Sequence, residues 1–374
     1  MSGDHHSRHI VFSGGGSGGH LTPSIAIAKA LLTLDTDAQV TFLTSGRDVD
    51  RIVLEHSFVA TDQRCTVIPL SLTQPPRLDR SGPAQIRALW KSIGLCRRVF
   101  AQQPVGALLS TGAFASVPGL LAAKRSKIPV ILFEANAQPG KVNRWWKRCA
   151  ALSLSGWPPD CAKDDVGFEY VGMPVRPDVT STTTTNPAAA ESDHGQILVL
   201  GGSQGSRRLN SMVRAAISQT RLPSDWHVLH QTGDCETDEP AFGNQNRVTT
   251  VAYLDSLGSE LHRSAFVISR AGAVTLGELA ATGCPSILVP LHSAAENHQH
   301  QNAARFVRQG AALLVEETGA DAVQELLGAI HRLVSDAKTR AAMRQAAQSL
   351  HQPGAAQHVA ELLLQLADQT QRND

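Results

Sequence analysis

Two stretches of this chain share one plan. "IVFSGGGSGG" (10–19) and "ILVLGGSQGS" (197–206) each carry a buried-type strand straight into a glycine-rich turn. Behind each opening, short apolar or β-branched runs alternate with helical segments. The first half offers "HIVFS", "QVTFLT", "GALLST", "IPVILFE" and "ALSLS"; the second offers "QILVLG", "WHVLHQTG", "RVTTVAY", "AFVISR" and "PSILVP". Strands separated by helices predict parallel sheets with crossover helices, and 374 residues exceed one ordinary core. The expected fold class is α/β, with two Rossmann-like doubly wound domains facing across a cleft and ligands at the carboxyl ends of the strands. The expected boundaries are 1–179 for the first domain and 196–352 for the second. The low-complexity segment 180–195, "TSTTTTNPAAAESDHG", is the linker. Residues 353–374 are read as a helix packing back on the first domain, with Val359, Leu362, Leu363 and Leu366 at helical spacing.

Lysine plus arginine (34) nearly balances aspartate plus glutamate (33), so no global basic field exists to collect nucleic acid. The six cysteines form no C-x-x-C pair, which fits scattered thiols in a reducing compartment rather than zinc or a disulfide framework. "MSGDHHSRH" lacks an apolar core for a secretory signal, and no apolar run is long enough to span a bilayer. A cytosolic protein, or one lying on a membrane surface, is expected.

Gly14, Gly16 and Gly19 fit the G-x-G-x-x-G spelling of a dinucleotide loop. That reading needs an acid at the end of the second strand to hold ribose hydroxyls, whereas "QVTFLT" runs into Thr44, Ser45 and Gly46. Asp48 and Asp50 come later and read as helix-start acids, although D-x-D also spells a metal site of some sugar transferases. His20, where the loop turns into a helix, suits chemistry better than a pyrophosphate cradle. In the second loop, Gly201, Gly202 and Gly205 free the backbone, Ser203 and Ser206 add hydroxyls, and a helix beginning near Leu209 favours a phosphate or diphosphate. In "SRAGAVTLGELAATGCPSILVPL" (269–291), a turn at Gly272 opens a helix near Val274 with Glu278 one turn in. A carboxylate there suits two ribose hydroxyls, or merely complements the helix dipole. "HSAAENHQHQNAARF" crowds amides and imidazoles of the kind that recognise sugars, and His292, His298 and His300 lack the spacing of a metal site.

Taken in order, "GGGSGGHLTPSIAIA", "STGAFASVPGLLAA", "PVILFEANAQPGKVNR", "VGMPVRPDV", "LGGSQGSRRLN", "SRAGAVTLGELAATGCPSILVP" and "NHQHQNA" resemble the MurG family over about residues 9 to 316. The resemblance implies the glycosyltransferase-B fold and an acceptor-binding N-terminal domain. It also implies transfer of N-acetylglucosamine from UDP to lipid I (undecaprenyl-diphosphate-MurNAc-pentapeptide) in peptidoglycan synthesis, without cofactor or metal. It further implies a peripheral position on the cytoplasmic face of the inner membrane, with cell-wall and division proteins as partners. On matching positions, Glu278 would bind the uridine ribose, Ala273, Val274, Thr275, Leu276 and Gly277 would line the nucleotide site, and Leu254 would contact the uracil. Ser203 would meet the diphosphate and Gln299 the sugar, with Ser17, Gly18, Gly19, Asn136 and Arg176 completing the donor set. The sequence departs from the family on the acceptor side. "TGAF" replaces the usual GGY, placing Ala113 and Phe114 there, and "FEAN" replaces HEQN, placing Phe133 and Ala135.

An inverting transfer needs one base on the acceptor hydroxyl. His20 is the candidate, because a helix N-terminus disfavours its cation; Glu134 is the rival. A role for His20 confined to hydrogen bonding or capping stays open. Leaving-group charge would be met by the two helix starts and Arg176. The segment 75–103 carries Arg77, Arg80, Arg87, Lys91, Arg97 and Arg98 against Asp79, interleaved with Ile86, Leu89, Trp90 and Ile93. It reads either as a surface for anionic lipid headgroups, joined by "RWWKR" (144–148), or as a solvated helix. Competing readings are a UDP-N-acetylglucosamine 2-epimerase, another UDP-sugar transferase of this fold, an NAD-dependent dehydrogenase and an inactive nucleotide-sugar scaffold.

Overall fold

The computed structural model describes residues 8–16, 18–72, 82–158, 167–180, 195–202, 205–233, 247–254, 256–292 and 297–373. Most of the linker expected at 180–195, together with Ser17, Ser203, Arg77, Asp79 and Arg80, lies outside them.

The chain divides into two compact units, 1–174 with 354–374, and 175–353. In the first, strands β1 (His9–Ser13), β2 (Gln39–Thr44), β3 (Cys65–Pro69), β4 (Ala107–Ser110), β5 (Val130–Glu134), β6 (Leu152–Ser155) and β7 (Glu169–Tyr170) form one parallel sheet in the order β3-β2-β1-β4-β5-β6-β7. In the second, β8 (Gln196–Leu200), β9 (His227–Gln231), β10 (Arg247–Val251), β11 (Phe266–Ser269), β12 (Ser286–Leu288) and β13 (Ala312–Leu314) give the parallel order β10-β9-β8-β11-β12-β13. Each order reverses beside its first strand, between β1 and β4 and between β8 and β11. Crossovers on either side of such a switch diverge and open a crevice at the carboxyl ends of these strands.

The central strands are continuous apolar runs because both faces are covered. Every residue of β1 and of β8 is buried. Phe12 of β1 stacks on Phe42 of β2 with ring centroids 5.3 Å apart. In the second unit, Ile197, Val199, Phe266, Ile268 and Ile287 from three strands meet Leu209, Val213, Leu326 and Ile330 from helices.

Val175–Thr180 group with the second compact unit, whose first residue is 175 where the sequence reading ended the first domain at 179. Local contacts give the reason. The carboxylate of Asp178 accepts from the Gly258 N–H at 3.1 Å, and Gly258 packs so closely on the Asp178 backbone that a Cβ would collide there. The last helix, Ala355–Asn373, packs on the helix Gly18–Leu34 and on β1 and β4. Gly106 sits where a Cβ would strike Ala367, and Arg8 ties Asp35 to Asp368 at 2.6 Å each.

Candidate active site

The first glycine loop leaves β1 at the switch point. Gly15 has φ +137°, a conformation open to glycine, and any Cβ on it would press on the Asp50 carboxylate. Asp50 is the hub of this loop. It is buried in the helix Asp48–Glu55, where Oδ1 accepts from the Gly16 N–H (2.7 Å) and Oδ2 from the Ser45 N–H (2.9 Å) and the Ser45 hydroxyl. Its carboxylate is thus committed to two backbone N–H groups and one hydroxyl, and the D-x-D spelling marks a loop anchor. Both residues are helix-start acids, as the sequence suggests; Asp48 is exposed, while the hydrogen bonds of Asp50 have no signal in the sequence.

Gly18 and Gly19 begin the helix Gly18–Leu34, and His20 is its third residue, half-buried. Pro23, inside the first turns, has no N–H to give the Gly19 carbonyl, while the Thr22 hydroxyl donates to the Gly18 carbonyl (3.0 Å).

The loop after β4 is strained. Ala113 adopts φ 59°, ψ 164°, a region that L side chains avoid and glycine enters freely. This is the residue where the sequence departs from a family glycine. Restoring it, Ala113→Gly, should raise unfolding stability by about 1 kcal/mol, the strain relieved less the added freedom of the unfolded chain. Denaturant titration reads this, and an unchanged midpoint would show that the loop carries no such strain. Phe133, the other large departure, is fully buried; it lies beside Gly156, where a Cβ would touch the ring and crowd Met173.

Glu134, at the end of β5, is buried and accepts four hydrogen bonds. Oε1 takes the Asn136 N–H (2.9 Å) and side-chain amide (3.2 Å), and Oε2 takes the Gly140 N–H and the Asn143 amide (2.9 Å each). Burial pushes its carboxyl above the usual range, opposed by these donors.

In the second unit, the helix Arg207–Ser218 starts two residues before the expected Leu209, because Ser206 caps it and accepts from the Leu209 N–H at 3.4 Å. Gly205 has φ +68° and packs where a Cβ would strike the Thr232 carbonyl, which holds the loop down on the end of β9. The helix Ala273–Thr282 begins at Ala273, so Ala273, Val274, Thr275, Leu276 and Gly277 form its first turns. Glu278 follows, 3% exposed, and its Oε1 accepts from Arg176 Nε at 3.0 Å. Burial raises the Glu278 carboxyl and the guanidinium opposes this. Two residues assigned separately, one to ribose and one to the leaving group, are thus an ion pair here. Leu254 lies half-buried past β10, and Gln299 accepts from the Leu291 N–H (2.9 Å) through Oε1.

Sequence reasoning missed a buried pair. Arg270, one residue past β11, meets Glu317 at 2.6 Å, with both side chains under 10% exposed. A charge-to-charge contact between residues so far apart in sequence leaves no periodic signal.

Residues 10–153 match the glycosyltransferase family 28 N-terminal domain, and 196–359 match the glycosyltransferase family 28 C-terminal domain. A UDP-N-acetylglucosamine--N-acetylmuramyl-(pentapeptide) pyrophosphoryl-undecaprenol N-acetylglucosamine transferase of Syntrophotalea carbinolica is 32% identical over 373 residues, covering 94% of this chain and 96% of the relative. The enzyme of the same name from Salinibacter ruber is 32% identical, covering 98% of each. The chain belongs to the MurG family. Among solved structures, Acinetobacter baumannii MurG superposes with a TM-score of 0.74 at 24% identity, covering 96% of this chain and 99% of that one. A UDP-N-acetylglucosamine 2-epimerase structure reaches 0.61 at 16% identity, covering 96% of each chain, a likeness of fold alone. Both units are therefore Rossmann-like domains of the glycosyltransferase-B type, as the MurG resemblance implied.

Proposed function

We infer that this chain moves N-acetylglucosamine from UDP-N-acetylglucosamine to the C4 hydroxyl of the N-acetylmuramic acid in lipid I, inverting the anomeric centre. What carries the reading is identity of 31–32% over nearly the whole chain, through both domains, to enzymes named for this transfer. The epimerase alternative has only fold likeness behind it. The acceptor oxygen attacks the anomeric carbon as the bond to the diphosphate breaks. The hydroxyl proton passes to His20, and the bonding pair leaves on the β-phosphate of UDP.

The donor set we assign is Ser17, Gly18, Gly19, Asn136, Arg176, Ser203, Leu254, Ala273 to Glu278 and Gln299, with the second unit taking the nucleotide sugar and the first the acceptor. Glu278, paired with Arg176, would accept ribose hydroxyls, and helix-start amides would meet the leaving diphosphate, as preorganised donors do. UDP release should depend on a lipid I analogue. Release without acceptor would point to an epimerase or hydrolase instead.

The acceptor is anchored in lipid, and among the described residues no helix is long and apolar enough to cross a membrane. We assign the docking surface, on the cytoplasmic face of the inner membrane, to the helix Gly82–Gln102. There Ile86 and Trp90 are 48% and 68% exposed and Arg87, Lys91, Arg97 and Arg98 are exposed around them. Trp145, 77% exposed, extends the apolar part. Anionic headgroups attract such a surface at roughly 1 kcal/mol per basic residue. Reversing Arg97 and Arg98 to glutamate should release the protein from anionic liposomes in a sedimentation assay; retention would move the docking surface elsewhere. Cell-wall and division proteins are the partners this position would bring within reach.

A further inference from the structure

Arg270 stands at the carboxyl end of β11, beside the switch point of the second sheet, and joins three loops. Its Nη2 donates to Ser206 Oγ (2.8 Å) in the loop after β8. Its Nη1 donates to the carbonyls of Val289 (3.0 Å) and Pro290 (3.3 Å) after β12. Glu317, past β13, pairs with it, accepts from the His292 N–H (2.8 Å), and gives its own carbonyl to Arg208 Nη2 (2.7 Å). A planar guanidinium can serve several acceptors at fixed angles, which an ammonium on a flexible stem cannot.

The consequence falls on Ser206. A hydroxyl oxygen has two lone pairs and one proton. One lone pair takes Arg270 and the other takes the Leu209 N–H, so the proton is what Ser206 has left to offer. We propose that Arg270 is a positioning residue for the donor diphosphate: it turns the Ser206 hydroxyl into an obligate donor to an anionic oxygen at the start of the helix Arg207–Ser218 and ties Ser206 to the Val289 and Pro290 carbonyls after β12. The proposal rests on the nucleotide-sugar reading above.

The test uses the full chain as wild type, Ser206→Ala and Arg270→Lys. Thermal unfolding establishes that each variant is folded. Titration calorimetry then measures UDP, uridine and UDP-N-acetylglucosamine, and steady-state assays separate KM from kcat. Ser206→Ala, which keeps the buried ion pair, should weaken UDP about tenfold or more, the scale of one hydrogen bond to a charged group. Arg270→Lys should do the same, uridine affinity should stay within about twofold in both, and KM for the sugar nucleotide should rise in step with the loss of UDP binding. A merely structural role would lower the melting temperature without changing the ratio of UDP to uridine affinity. If Ser206→Ala binds UDP like wild type, or loses UDP and uridine alike, the proposal is overturned. Should wild type itself bind neither UDP nor UDP-N-acetylglucosamine, the transferase reading fails and the proposal with it.

Discussion

Replacing His20 with alanine should lower kcat about 10²- to 10⁴-fold, the span of a positioned general base. UDP-N-acetylglucosamine affinity should hold within about threefold, because the substitution leaves in place the donor positions assigned beside it, Ser17, Gly18 and Gly19, as well as Glu278 and the amides at Ala273. A second substitution separates the two roles open to this side chain. Glutamine at position 20 keeps a hydrogen-bonding group but cannot take a proton near neutral pH. If His20 only orients the acceptor, His20→Gln should recover most of the rate. If it is the base, His20→Gln should be as slow as His20→Ala. The helix start makes the experiment clean. His20 is half-buried in the first turn of its helix, so its truncation opens no core cavity, and thermal unfolding of each variant separates a loss of rate from a loss of fold.

The fold was legible wherever the physics is local. β1 and β8 are buried on both faces, and their continuous apolar runs announce central parallel strands. β3, β7 and β13 went unread. Each stands at a sheet edge, β3 alternates no apolar face and ends in Pro69, and the other two are only two and three residues long. The loops of the site were legible because glycine after a strand has few other uses than close backbone approach. What holds those loops was not. Asp50 is a helix-start acid, but its hydrogen bonds to Gly16 and Ser45 join residues that only the fold brings together. Arg270 and Glu317 gave no sign of each other, since a buried ion pair has neither spacing nor pattern in one dimension. Composition also cannot register that Arg176 and Asp178 group with the second unit, where they contact Glu278 and Gly258.

Glu134→Gln should lower unfolding free energy by about 2–4 kcal/mol, since an amide group replacing one carboxylate oxygen confronts two N–H donors that are then buried and unsatisfied. Either orientation of the glutamine incurs this cost: Oε1 holds both N–H groups of Asn136, and Oε2 holds Gly140 and Asn143. The same arithmetic separates Glu134 from His20 as a base. A general base keeps a lone pair for the incoming proton, whereas all four donors here occupy the carboxylate and tie it to Asn136, Gly140 and Asn143. Raising the carboxyl by burial would otherwise suit a base, so the pKa alone does not choose between the roles; the donors do. The decisive readout is paired. Loss of rate accompanied by a fall in the denaturation midpoint marks an organiser of the loop. Loss of rate by two orders of magnitude or more at unchanged stability would make Glu134 the base after all, and would reduce His20 to a hydrogen-bonding role.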